Sequence, residues 1–176
     1  MTDVILVDSH DNPIGIAEKM TAHQQGLLHR AFSVFVIRTN AFGQIETLLQ
    51  QREEHKYHAG SLWTNTCCSH PEPNETVVHA GQRRLQEEMG FTVALNEIGV
   101  FTYRAQFTNG LIEHEVDHVL LGEFKDGIKI DPNPSEVMAY RWVTLEAVSE
   151  EYQRDPEIFT PWFQEALEIL KKYSKV

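Results

Sequence analysis

Five groups of residues in this sequence carry side chains that do chemistry. The densest is Thr64-Asn65-Thr66-Cys67-Cys68-Ser69-His70-Pro71. If the stretch is extended, alternation puts Cys68 and His70 on one face and Cys67 on the other. A thiol two residues from an imidazole serves as nucleophile, proton-transfer group or metal ligand, although cysteine is as often buried for packing alone. The second group is Glu113-His114-Glu115. On a strand the two carboxylates share a face while His114 points away. Side by side they repel unless a cation or a proton lies between them. A solvated edge would also explain them, but apolar neighbours such as Leu111, Ile112, Val116 and Val119 favour a metal site. The third group is His23 and His29. On one helix they would stand about 240° apart, yet Gly26 lies between them and a bend there could bring both imidazoles together. With nine histidines in the chain, such a pair alone says little. Three imidazoles and two carboxylates nevertheless make a ligand set that zinc, manganese or iron accepts. The fourth group is Arg83, Arg84, Glu87 and Glu88, with Arg84 and Glu88 one helical turn apart, the spacing of an ordinary surface ion pair. The fifth is Lys19, Arg52 and Lys56, each unremarkable singly. Converging on one pocket they would suit a diphosphate, which arginine grips bidentately.

The elements that must position these groups are mostly strands. Val4–Val7 and Ile14–Ala17 read as short strands joined at Asp11-Asn12-Pro13. Ala31–Ile37 reads as a buried strand, and Thr47–Gln51 follows the turn at Gly43. Leu62–His70 alternates and reads as one extended run. Val100–Phe107 and Leu111–Leu121 form a hairpin around Asn109-Gly110. Ala139–Val143 is the last expected strand. A helix is expected over Glu75–Met89, with Asn74 capping its start and Gly90 its end. A second opens at Thr160-Pro161 and turns Phe163, Ala166, Leu170 and Tyr173 to a core. Strands interspersed with few helices point to an α/β protein, a mixed sheet covered by helices on both faces.

The 176 residues, 41% hydrophobic and 23% charged, suit one domain spanning 1–176. A chain of this size needs no disulfide staple, and a bond between adjacent Cys67 and Cys68 is geometrically poor. Free thiols fit a reducing compartment. The apolar run Val4–Val7 is too short for a signal-peptide core, and nothing approaches the roughly 20 apolar residues of a membrane helix. A soluble, cytoplasmic protein is expected, a monomer or weak homodimer. A net charge of −11 repels nucleic acid and anionic membranes, so an anionic small substrate requires a local cationic pocket or bound metal ions.

The stretches Gly26-Leu27-Leu28-His29-Arg30-Ala31-Phe32-Ser33-Val34-Phe35 and TNTCCSHP resemble the type I isopentenyl-diphosphate isomerases, over nearly the whole chain from about Ile14. A broader resemblance is to the Nudix box: Gly, five residues, Glu, seven residues, then Arg-Glu-apolar-any-Glu-Glu-any-Gly-apolar. Here the frame is Ser69, Glu75 and Arg83-Arg84-Leu85-Gln86-Glu87-Glu88-Met89-Gly90-Phe91. Ser69 replaces the opening Gly, and Arg84 replaces a metal-binding Glu. Nudix hydrolases use that acidic cluster to hold cations for attack on phosphate, so Arg84 favours gripping a diphosphate over hydrolysing it. The isomerases share this departure.

The resemblance implies a Nudix-like sheet between helices. It implies one divalent metal (Mn2+, Zn2+ or Mg2+) held by His23, His29, His70, Glu113 and Glu115, and Mg2+ bound near Glu88 and the diphosphate. It places Lys19, Arg52, Lys56 and Arg84 on the diphosphate. It assigns Cys68 and Glu115 to opposite faces of the isoprene unit, Tyr103 to a hydrogen bond with the acid, and Trp162 to the hydrocarbon tail. The implied reaction turns isopentenyl diphosphate into dimethylallyl diphosphate by protonation and deprotonation through a tertiary carbocation. Two rivals remain at this stage. One is a Nudix hydrolase of a nucleoside diphosphate derivative. The other is a non-catalytic fold stapled by zinc on Cys67, Cys68 and His70.

Overall fold

A computed structural model describes residues 2–176. Nine strands join in one sheet: β1 (Asp3–Val7), β2 (Pro13–Glu18), β3 (His29–Thr39), β4 (Ile45–Arg52), β5 (Trp63–Thr64), β6 (Cys67–Ser69), β7 (Asn96–Gln106), β8 (Ile112–Glu123) and β9 (Val137–Thr144). The helices are α1 (Lys19–Gln25), α2 (Val77–Met89), α3 (Leu145–Arg154) and α4 (Phe163–Ser174). β3 is the axis. β8 runs parallel to it along one edge, from His29 opposite Glu115 to Ile37 opposite Glu123. The other edge takes β1 at Leu6, β6 at Phe32–Val34 and β4 at Ile37–Thr39, all antiparallel. The expected hairpin is β7–β8, turning at Gly110 with φ 87°.

Alternation along these strands builds two cores. Phe32, Val34, Val36, Leu48 and Leu120 pack under α2 with Leu85 and Met89. Phe35, Leu49, Val119 and Leu121 pack under α3 and α4 with Leu145, Phe163 and Leu167. Each buried large apolar side chain contributes about 1.5–3 kcal/mol. The sheet is therefore sandwiched by helices, as expected. The second face changes character along its length. On β3 the same side that carries Phe35 carries Ser33 and His29, and on β8 the side of Val119 carries Asp117, Glu115 and Glu113. All five polar residues are buried, so the apolar core under α4 continues into a polar floor.

Several elements depart from the sequence expectation. Leu62–His70 is two short strands rather than one, since Asn65 and Thr66 interrupt it. Asn65 Nδ2 donates to the carbonyls of Val34 and Cys67, and Thr66 Oγ1 to that of Leu48. Helix α2 begins at Val77. Its cap is Thr76, whose side chain accepts from the His79 amide, while Asn74 stands before it at φ 68°. α4 begins at Phe163, after Trp162, and Tyr173 is exposed rather than facing the core. α1 and α3 were not expected from the sequence. No helix among the described residues is long and apolar enough to cross a membrane.

Gly90 closes α2 in the left-handed region at φ 77°, and a Cβ there would lie 2.3 Å from the Asp131 carbonyl oxygen. Gly90→Ala is expected to cost at least about 1–2 kcal/mol from the backbone conformation alone, with the clash added. Denaturant melts of the two proteins measure it. An unchanged midpoint would contradict this account of the helix end.

Candidate active site

A hollow opens above the polar floor, lined by residues that include Lys19, Arg52, Lys56, Cys68, His70, Arg84, Glu113, Glu115 and Trp162. Cys68 and Glu115 reach it from opposite edges of β3, through β6 at Ser33 and through β8 at His29. Cys67 points the other way, into the core beneath α2, and its thiol donates to Glu88. A zinc site joining Cys67, Cys68 and His70 is thereby excluded by strand alternation, and no metal-binding group among the described residues contains a cysteine.

The His/Glu residues assemble where a bend and two strands meet. α1 ends at Gly26 in a left-handed cap, φ 67°, and the chain turns back into β3. That bend sets the His23 and His29 rings 5.0 Å apart, each about as close to His70, at 5.5 and 4.9 Å. Ligand atoms of His23, His29, His70 and Glu115 all lie within 4.8 Å of one another. His23 Nδ1 donates to the Lys19 carbonyl at 2.7 Å and His29 Nδ1 to that of Leu27 at 2.8 Å. A carbonyl only accepts, so each ring's Nε2 is the nitrogen turned inward. It meets carboxylate oxygen, 3.6 Å from Glu113 for His23 and 3.2 Å from Glu115 for His29. Lone pair faces lone pair there unless a proton or a metal cation intervenes. His23 Nε2 is buried with no hydrogen-bond partner among the described residues. These donors fit a divalent cation. His114 points away and meets the Gly26 carbonyl, as alternation requires.

Electrostatics separate the residues of the floor. Burial drives the Cys68 thiol well above its usual pKa, against the pull of Arg52, so it stays protonated at neutral pH. Burial also works against a charged Glu115, but His29 and His70 outweigh it and hold the group anionic. Burial lowers His70 to about 4 despite Glu115. Asp117 is raised by burial first and by Glu115 second, with Ser33 Oγ donating to it at 2.9 Å.

At the rim, four cations converge in a chain of net charge −11. Burial lowers the Lys19 pKa first, and Lys56, Arg84 and Arg52 depress it further, with Glu136 opposing. Glu136 is the local counter-charge, paired with Lys56 and, at 3.3 Å, with Arg84. An anion with more than one charge would relieve the remaining repulsion. Arg84 also reaches Glu88 at 3.0 Å. Glu88 lies behind the rim, where it accepts from Gln50 and Cys67 as well.

Trp162 stands over the hollow with its indole N–H donated to Asn65 Oδ1 at 3.2 Å. Its ring lies 6.2 Å from that of Tyr103 and 5.5 Å from the Arg52 guanidinium. Tyr103 faces Glu115 across the β7–β8 ladder. Its expected hydrogen bond to that acid is not formed. Glu115 Oε2 is turned to His29 and His70, and the buried Tyr103 hydroxyl has no partner among the described residues. Sequence reasoning missed Tyr57, His58 and Asp117, which also line the hollow. Asp117 was legible as the next residue on the face of Glu113 and Glu115. Tyr57 and His58 sit in a loop without periodicity.

Residues 27–163 match the model of the NUDIX domain. Two similar proteins are named isopentenyl-diphosphate Delta-isomerase. One, from Pectobacterium atrosepticum, is 47% identical over 93% of this chain and 88% of its own. The other, from Burkholderia multivorans, is 51% identical over 91% and 88%. Among solved structures, a Deinococcus radiodurans protein superposes with a TM-score of 0.73 at 15% identity, over 94% of this chain and 97% of that one. A MutT protein from Methanosarcina mazei gives 0.62 at 18%, over 85% and 96%. These two share the fold. With the domain match and the two relatives together, the chain belongs to the isopentenyl-diphosphate Delta-isomerase family of Nudix-domain proteins.

Proposed function

We propose that the protein isomerises isopentenyl diphosphate to dimethylallyl diphosphate in this hollow. The observation that carries the reading is the pair Cys68 and Glu115, presented to one hollow from opposite edges of β3, beneath a cluster of four cations. The relatives that bear the isomerase name support it.

The alkene is unactivated, and protonating it gives a tertiary carbocation. Such an ion survives only where water and nucleophiles are excluded. Lys19, Arg52, Lys56 and Arg84 hold the diphosphate and so fix the hydrocarbon tail below them, and Glu88 is the residue that would hold a Mg2+ accompanying it. The indole face of Trp162 stabilises the cation by about 2 kcal/mol once desolvated. Cys68 and Glu115, from opposite sides, add a proton to the terminal carbon and remove one from the carbon next to the diphosphate-bearing one. Tyr103, across the β7–β8 ladder from Glu115 with its hydroxyl free of any partner among the described residues, would support the exchange. Each turnover moves one proton from one group to the other through the substrate, so the pair must be reset before the next. His23, His29, His70, Glu113 and Glu115 would hold a divalent ion (Mn2+, Zn2+ or Mg2+), which when bound supplies positive charge that orients Glu115 and sets its proton affinity.

The test is incubation with isopentenyl diphosphate and Mg2+, with detection of the allylic isomer. Release of phosphate or pyrophosphate from a nucleotide panel instead would favour hydrolysis. Arg84 speaks against hydrolysis. In place of a metal-binding carboxylate it brings a guanidinium that pairs with Glu88. Arg84→Ala is expected to raise KM by about 10–100-fold, the worth of a charge-assisted hydrogen bond or two, with a smaller effect on kcat. A steady-state profile in which kcat collapsed and KM held would remove Arg84 from diphosphate binding.

A further inference from the structure

We infer that His58 is a positioning residue that fixes Glu113 for the metal and ties it to Arg52. The inference rests on the metal-binding reading of the His/Glu set. His58 is buried in the β4–β5 loop, stacked on Tyr57 at 4.1 Å, with Phe107 at 4.9 Å and Trp162 at 5.9 Å. Its ring is 5.5 Å from His23, no farther than His70 is. Its two nitrogens meet different chemistry. Nδ1 lies 3.3 Å from Arg52 Nη2. A guanidinium only donates, so Nδ1 accepts and Nε2 carries the hydrogen. That Nε2–H is directed at Glu113 Oε2, the oxygen 3.6 Å from His23 Nε2.

The tautomer decides between two roles. As a direct ligand, His58 would bind through Nε2, and the hydrogen would have to move to Nδ1, against the Arg52 donor. As a donor it leaves the metal to the other five residues and holds one Glu113 oxygen in place. Carboxylate ligands are commonly held by such outer hydrogen bonds. The same imidazole braces Arg52, whose Nη1 lies 3.8 Å from the Cys68 sulfur. One side chain thus spans the metal-binding and diphosphate-binding halves of the hollow.

The test uses the full-length protein stripped of metal and titrated with zinc alone against a competing chelator. His58→Ala is expected to weaken zinc binding by about 10–100-fold. His58→Gln, which keeps an N–H donor near the Nε2 position, is expected to restore most of the affinity. X-ray absorption of the zinc-loaded parent should count three imidazoles, and His58→Gln the same three. An unchanged affinity in His58→Ala, an equal loss in both variants, or a fourth imidazole on the parent's zinc would each overturn the inference. The alanine variant need not fold for the parent's ligand count to decide. A parent that takes up no zinc at all would instead sink the metal reading, and none of these measurements depends on isopentenyl diphosphate.

Discussion

Cys68→Ala is expected to cut turnover of isopentenyl diphosphate by on the order of 10⁴-fold, the upper end of what one proton-transfer group contributes, while fold and metal content stay as they were. The size of the loss follows from position. Cys68 is a proton-carrying side chain that β6 presents to the hollow, and burial keeps its proton on sulfur at neutral pH. Alanine removes that proton without adding bulk. Metal content should be untouched, because none of the His/Glu groupings among the described residues includes the sulfur, which accepts instead from Arg52 Nη1 at 3.8 Å. The β6 backbone pairing to Val34, Ser33 and Phe32 needs no thiol. Product analysis, metal quantification and circular dichroism on the same preparation check the three parts. Near-normal turnover in a folded, metal-loaded variant would end the role proposed for Cys68.

What was legible beforehand divides along a physical line. Strand alternation is a local rule with a period of two. It correctly separated Cys67 from Cys68 and His114 from its flanking glutamates before any fold was known. Hairpin chemistry at Asn109-Gly110 was equally local. Convergence is not local. That His23 meets His29 depends on Gly26 bending the chain after a helix of only seven residues, too short to announce itself by periodicity. That Lys19, Arg52, Lys56 and Arg84 share a rim depends on four different elements closing around the sheet, and it was expected only through the family resemblance. His58 escaped both routes. Its loop has no repeating pattern, and its partners Glu113 and Arg52 lie 55 and 6 residues away. The Tyr103 hydrogen bond failed for a related reason: the family resemblance implied it, but nothing in the sequence says that two imidazoles claim the carboxylate first.

The second large effect is expected from Glu115→Gln, and it differs in kind from the first. Glutamine keeps the shape of the side chain but loses the charge and the site that takes up a proton. Turnover should again fall on the order of 10⁴-fold. Metal binding should fall too, because one residue serves both purposes: Glu115 Oε2 faces His70 at 2.8 Å and His29 at 3.2 Å, within the cluster of candidate ligands. The loss should exceed the roughly 10–100-fold that outer-sphere changes cause. Melting curves give a readout free of substrate. For the parent, metal at 100 times its Kd adds about 2.7 kcal/mol of stability. In a chain of this length that raises Tm by about 5–10 °C. Cys68→Ala should keep that rise and Glu115→Gln should lose most of it, although both are inactive. The contrast tests the division of labour directly. If Glu115→Gln kept both the metal-induced rise and normal turnover, the carboxylate would be neither ligand nor proton acceptor. If Cys68→Ala lost the rise, the thiol would belong to the metal site, and its exclusion from the His/Glu ligand set would have to be abandoned.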